Sequence, residues 1–417
     1  MNDVIAAFLT AEEDRQISFL ADLLKMPTDN PPGDCAAHAE LACSLLEELG
    51  FEVECHTVPQ ETVGAAGMIS VTNLIVRHRF GDGPRIVLNA HGDVVPPGLG
   101  WKHDPYGAEI EETEEGRRIY GRGAAVSKSD FATYTWALLA LKKLANEGAA
   151  FAGTVELLFT YDEEIGGTVG PQWILEQGLS NPDYVICAGF SHTVVFTLKG
   201  CLHLEVVVTG KMGHAAEPER ATDALEATNS VLAKIYESRK ELSKIETDLP
   251  GIGSPTIVVG KIDGGINTNV VPDRVTFKID RRVLPEESMD VVEQDLTKLI
   301  EDAVAAFPGT TVSVNRIVAA GPLLPQPGWE NMADALRRAV LDLTGEEISY
   351  SGAKLFTDAR LYAEKGIPTI LYGAGPHTLA EAGGHNSDEN LKISDLRLGT
   401  EAVTRAVAEL LTSELSD

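Results

Sequence analysis

The 417-residue sequence is short of cysteine and of basic residues and has no long apolar run. Each shortage excludes a class of protein. The five cysteines, Cys35, Cys43, Cys55, Cys187 and Cys201, are odd in number, widely spaced and without a Cys-x-x-Cys pair. That pattern argues against a disulfide framework and against a thiolate zinc site. Buried free thiols are expected instead, since a free cysteine packs as a small hydrophobe. Only 34 Lys and Arg stand against 63 Asp and Glu, for a formal net charge of -29. Such a field repels polyanions, so neither nucleic acid nor an anionic membrane is expected as a partner. A small anionic substrate is not excluded, because a local cluster of Arg or Lys can outweigh the average field. No segment approaches the ~18 consecutive apolar residues of a membrane span. The first residues, Met1 to Gln16, lack a basic stretch ahead of their short apolar run. No signal peptide is read there, and a cytoplasmic location is expected.

What is present is an ordinary globular composition, 44% hydrophobic and 23% charged. The chain is too long for one common core, so two domains are expected. Leu41, Leu45 and Leu49 recur at helical spacing and Gly50 stops that helix, after which Phe51, Val53 and Cys55 alternate with Glu52 and Glu54 as a half-buried strand. Ile86 to Ala90 before His91, and Val155 to Tyr161 before Asp162, are continuous apolar runs of the kind buried on both faces of an α/β sheet. In such sheets the chemistry lies beyond the carboxyl ends of the strands, where both polar clusters fall. From about residue 199 the pattern changes. His203–Thr209, Thr256–Ile262 and Val275–Val283 alternate as strands, and Thr222–Leu242 and Met289–Phe307 read as helices, giving a ferredoxin-like order. The first pattern returns with Ile367–Tyr372 and a last helix marked by Leu396, Val403, Val407 and Leu410. The expected architecture is an α/β catalytic domain with a mixed sheet, formed by residues 1–198 and 319–417, into which an α+β domain of residues 199–318 is inserted.

Four polar clusters fall at strand ends or in loops. They are His91-Gly92-Asp93, the stretch from Tyr120-Gly121-Arg122-Gly123 to Asp130, Asp162-Glu163-Glu164 with Gly166-Gly167, and Gly384-His385-Asn386-Ser387-Asp388-Glu389. Each supplies His or carboxylate, the ligand types suited to zinc, manganese or cobalt. One such cluster alone is weak; four in this order with Gly-rich flanks are specific. They resemble the M20 metallopeptidase and aminoacylase family over nearly the whole chain, and the resemblance continues in Gly213-His214-Ala215-Ala216, Asn269-Val270-Val271-Pro272-Asp273, Thr357-Asp358-Ala359-Arg360 and Gly373-Ala374-Gly375. It implies a zinc-peptidase-like catalytic domain with an inserted dimerisation or lid domain, hence at least a homodimer. By the same resemblance His91, Glu164 and His385 are metal ligands, Asp93 orients His91, and Glu163 is the general base. His214 would stabilise an oxyanion in the partner subunit's site. Gly373, Gly375, Asn269, Arg360 and Arg282 (or Arg281) would contact substrate.

The pattern breaks at two ligands. Val126 stands where the family's bridging aspartate is expected, and Gly189 where a second acid is expected. A bridging carboxylate screens two cations held ~3.5–4 Å apart. Without it the remaining donors suit one labile divalent ion, manganese or zinc or else cobalt, per subunit. His192 and Asp130 are weighed as substitutes. The expected activity is hydrolysis of a C–N bond in a small carboxylate-containing molecule by metal-activated water. The missing ligands also suit an activated aromatic amine such as nitroanthranilate. The alternatives are a conventional dinuclear N-acyl amino acid amidohydrolase or peptidase, and an inactive binding module.

Overall fold

The computed structural model describes residues 1–125, 127–378 and 380–412. Val126 lies outside them. The chain forms two compact units, one of Met1–Phe196, Pro325–Ser351 and the residues from Thr357 onward, the other of Thr197–Leu324 with Gly352–Phe356.

The first unit is built on an eight-stranded mixed sheet. Its centre is four parallel strands in the order Thr154–Thr160, Arg85–His91, Tyr184–Cys187 and Thr369–Leu371. Further strands flank them, Thr72–Arg79 (antiparallel to its central neighbour) and then Val53–Thr57 on one side, Thr193–Leu198 (antiparallel likewise) and then Ser349–Ala353 on the other. The continuous apolar runs are the central strands because both of their faces are covered: Ile86, Val87, Leu88, Val155, Leu157 and Leu158 are fully buried. Helix Lys128–Asn146 packs on two of these strands and against the helices Asn2–Leu24 and Ile393–Thr412. Register aligns the strand ends, with His91 opposite Thr160 and Asn89 opposite Cys187. The segments that follow therefore emerge side by side at one edge of the sheet.

The second unit is an antiparallel sheet in the order Thr256–Gly264, Arg274–Val283, Gly200–Thr209 and Thr311–Ala320. Helices Ala224–Leu242 and Met289–Ala305 pack on it. Leu202, Leu204, Val206 and Val208 alternate into one apolar core with Val275, Phe277 and Ile279 of the neighbouring strand. Cys201, His203 and Glu205 consequently lie on the opposite face. This unit runs from Thr197 to Leu324 and also takes in Gly352–Phe356. Backbone pairing is the reason: Gly352 N–H donates to Pro250 O at 2.7 Å and Lys199 N–H to Ala353 O at 3.3 Å.

The thiols only partly follow expectation. Cys35, Cys187 and Cys201 are buried, but Cys55 is exposed, and its Sγ lies 3.0 Å from that of the half-buried Cys43. Among the described residues no helix is long and apolar enough to cross a membrane.

Candidate active site

The parallel strands set the site by where they stop. His91 is the last residue of its strand, and the Thr160 carbonyl of the next strand accepts the Gly92 N–H. Beyond Thr160, Glu163–Ile165 form a single 3₁₀ turn closed by Gly166 at φ 112°, a conformation natural to glycine. A helical start leaves N–H groups without partners. Here the N–H groups of Glu163 and Glu164 donate to the two carboxylate oxygens of Asp93, each at 3.2 Å. Asp93 is fully buried and also accepts from Asn30 Nδ2 at 2.9 Å.

His91 Nδ1 faces the Asp93 carbonyl at 3.0 Å and its carboxylate at 3.3 Å, which turns Nε2 toward Glu163 Oε2 at 3.9 Å. One aspartate thus braces both the histidine and the acidic turn, as a carboxylate behind a ligating imidazole does. Burial opposes protonation of His91, but Glu163 and Asp93 outweigh it and raise its pKa well above the usual value. Burial first, then the carboxylates of Glu164, Asp358 and Asp93, push Glu163 well above its usual range against the pull of His91. Asp358, itself raised to about 6 by burial, is a charged neighbour of Glu163.

His385 sits in a loop at φ 62° with its ring largely exposed, and its Nε2 is 3.6 Å from Glu164 Oε1. Two donors ~2.1 Å from one tetrahedral ion would stand about 3.4 Å apart, so this pair fits the span of a shared divalent cation. His91 does not join it. In the catalytic unit no three His, Cys, Asp or Glu donors lie within 4.8 Å of one another among the described residues. The expected triad of His91, Glu164 and His385 is present as two pairs, Glu163–His91 and Glu164–His385. The loop carrying His385 is anchored by Glu389. Its carboxylate accepts the N–H groups of Gly123 at 2.8 Å and Ala125 at 3.1 Å and pairs with Arg122. Arg122 also donates to Asn386 O at 3.1 Å.

The missing acid at position 189 has a steric explanation. A Cβ on Gly189 would stand 2.8 Å from Tyr372 N and 2.9 Å from Leu371 atoms. Gly375 N–H donates to Gly189 O at 2.8 Å, drawing the two loops together. Asp130 and His192 are each engaged by other residues. Asp130 is fully buried and accepts the Ala374 N–H at 2.8 Å, so it holds the Gly373–Gly375 loop. A Cβ on Gly373 would collide with Asp130 Oδ1. Burial pushes the Asp130 carboxyl up to about 7. His192 stacks on His377 with ring centroids 3.3 Å apart and bonds Asp395 at 3.2 Å. Lys128, fully buried, donates to Leu23 O and Met26 O at the end of the first helix.

Arg360 is buried and committed, donating to Gly166 O and pairing with Glu364, both at 2.9 Å. In the second unit Arg282 lies on Asp280 at 3.0 and 3.1 Å and over the Phe356 ring. His214 is exposed at the end of the short strand Gly213–His214, which pairs with Val270–Val271. Its Nδ1 accepts the Ala216 N–H at 3.0 Å, which leaves the ring proton on Nε2. Asn269 precedes the paired strand and is also exposed, its carbonyl accepting Ala215 N–H at 3.0 Å. Sequence reasoning had no role for Asp358 or Glu389, although both stand inside quoted motifs.

A mixed sheet with His and carboxylate clusters at the ends of its parallel strands, interrupted by an α+β insertion, defines a hydrolase of the metallopeptidase class. The chain belongs to the M20 family: the model described as Peptidase family M20/M25/M40 matches residues 87–409. Members of this family are hydrolases acting on C–N bonds. Succinyl-diaminopimelate desuccinylase of a Nitratiruptor species is 28% identical over 334 residues, covering 77% of this chain and 85% of the relative. Aminoacylase-1B of Rattus norvegicus is 30% identical over 350 residues, covering 78% and 79%. An M20 family metallo-carboxypeptidase from Sulfolobus solfataricus has the same fold, with a TM-score of 0.76 at 19% identity over 95% of this chain and 99% of that one.

Proposed function

We propose that this protein hydrolyses a C–N bond in a small carboxylate-bearing molecule with a single, labile divalent ion, manganese or zinc or else cobalt, per subunit. The observation that carries this reading is the pair of contacts on one braced turn. Glu164 stands 3.6 Å from His385, and its neighbour Glu163 stands 3.9 Å from His91. Glu164 and His385 would hold the ion, which when bound lowers the pKa of a water toward ~7 and polarises the electrophile. Glu163 accepts the proton of the attacking water and returns it to the departing nitrogen. Asp93 keeps Glu163 in position through its backbone rather than its carboxylate, so the base stays free to move a proton. The Gly373–Gly375 loop would line the substrate's side of the site as a wall, its own N–H groups being committed to Phe190 O at 3.4 Å, Asp130 at 2.8 Å and Gly189 O at 2.8 Å. His214 donates from Nε2 to the developing oxyanion across a homodimer, which the inserted domain would form. A cytoplasmic location fits these assignments.

The crowding around Gly189 favours the mononuclear form over the dinuclear one, because no acid fits there without moving Leu371 and Tyr372. A singly polarised electrophile suits an activated carbon. Among substrates an electron-poor aromatic amine, of which nitroanthranilate is an example, is therefore preferred to an ordinary N-acyl amino acid. The test is metal content per subunit after mild dialysis and add-back, paired with turnover of aromatic amines and N-acyl amino acids by the wild type and Glu163→Gln. One exchangeable ion that is lost on His385→Ala, with ammonia release that Glu163→Gln lowers at least about 10³-fold, is the expected result. Two tightly held ions both lost on His385→Ala, with acyl cleavage, would establish the dinuclear amidohydrolase, and no ion sensitive to His385→Ala together with no turnover would leave a binding module.

A further inference from the structure

The second unit contains a cluster that the proposed reaction does not use. Cys201 and His203 are two residues apart on the strand Gly200–Thr209, so they share the face turned away from the helices. Asp280 is directly opposite His203 on the antiparallel strand Arg274–Val283. Cys201 Sγ is 3.1 Å from His203 Nε2, which is 3.2 Å from Asp280 Oδ2. Among the described residues this is the one group whose three donor atoms all lie within 4.8 Å of one another. Each strand is a central strand of the sheet, bonded to a neighbour on both sides, so the backbone holding the donors is fixed.

We infer that Cys201, His203 and Asp280 form a second metal site, for zinc or a similar borderline divalent cation, separate from the catalytic residues. A tetrahedral ion with Zn–S ~2.3 Å and Zn–N or Zn–O ~2.0–2.1 Å separates its donors by about 3.3–3.6 Å. The S···N and N···O distances here are a few tenths of an ångström shorter, and small rotations of the side chains open them. Thiolate, imidazole and carboxylate together are a zinc-type donor set. Arg282 bonds both Asp280 oxygens and fixes the carboxylate plane, as partners behind metal ligands do. His203 and Asp280 are each about one-third exposed while Cys201 is fully buried, so the thiol closes the inner side and solvent completes the fourth position. Cation uptake displaces the proton of the thiol, which binds metal as thiolate, and takes the lone pair of a neutral imidazole.

The test uses the full protein, stripped with chelator and titrated with Co(II). The catalytic donors proposed above include no sulfur, and all proteins compared carry Cys43→Ser and Cys55→Ser to remove the adjacent thiol pair, so a sulfur-to-cobalt charge-transfer band in the near ultraviolet reports this site alone. The expected result is such a band saturating at one equivalent in the parent protein with those two changes only. Cys201→Ser should abolish it, and His203→Ala should weaken Co(II) binding by more than the about 100-fold that changes behind a ligand cost. The Co(II) bound by Glu164 and His385 should remain in both variants. A folded parent protein that shows no band, or a band that survives Cys201→Ser, overturns the site, and the parent arm stands even if a variant fails to fold.

Discussion

The two units place their charges in opposite ways. In the catalytic unit Asp93, Arg122, Lys128, Asp130, Glu156, Asp162 and Glu389 are all buried to 2% exposure or less. The inserted unit has one apolar core under its sheet, and its buried charged residues among those described are Lys199 and Arg281. Burying an ion costs several kcal/mol unless close partners compensate. The catalytic unit meets that cost with backbone N–H groups at loop ends: Asp93 takes two from the Glu163 turn, Glu389 two from the Gly123 turn, and Asp130 one from the Gly373 loop. Its site and its stability are therefore one structure. In the inserted unit, exposed residues such as His214 can serve chemistry while the core beneath them is left alone.

If that contrast is right, the largest effect comes from breaking an inner pair. Arg122→Met leaves Glu389 buried with its two N–H partners but no cation. A destabilisation of about 3–5 kcal/mol is expected in denaturant unfolding, with the His385 loop loosened at the same time. Glu389→Gln combined with Arg122→Met should recover part of the loss, since it removes the stranded charge. A cost below about 1 kcal/mol for the single variant would mean that the pair behaves as a surface ion pair, and the comparison would fail.

How much of this was legible depends on sequence separation. The strand Arg85–His91 and the chemistry at its end could be read locally, because a continuous apolar run and the His-Gly-Asp that follows need no partner to be recognised. The clamps could not. Arg122 and Glu389 are separated by 267 residues, and Asp130 and Ala374 by 244. Gly189 reads in sequence as a lost acid, but in the fold its backbone fills the space a side chain would need. The His203 partner Asp280 is 77 residues away and becomes adjacent only through strand register. Donor types and strand ends were visible in the chain; pairings across the sheet were not.

The second way to sharpen the contrast is His214→Ala. Removing a donor to a developing oxyanion typically costs about 10²–10³ in kcat. An exposed side chain bonded to one local N–H should change stability by only about 0.5 kcal/mol. Turnover and unfolding measured on the same preparation separate these effects, and parallel loss of both would give His214 a structural role. Mixing His214→Ala with Glu163→Gln tests whether the histidine acts across subunits. Only a mixed dimer then contains a site with both groups, so activity should return on mixing and stay absent if His214 serves its own chain.

The smallest effect probes the inserted unit's stability where it rests on local order. Asp223 caps the helix Ala224–Leu242, accepting the N–H groups of Leu225 at 2.8 Å and Glu226 at 3.2 Å. Those groups have no partner within the helix. Asp223→Ala should cost about 1 kcal/mol, and Asp223→Ser should restore most of it by capping the same positions. The cap belongs to no charged network, so the loss should add to that of Arg122→Met in the double variant, within about 0.5 kcal/mol. Non-additive losses would mean that the two units do not hold their charges independently, however separate their cores.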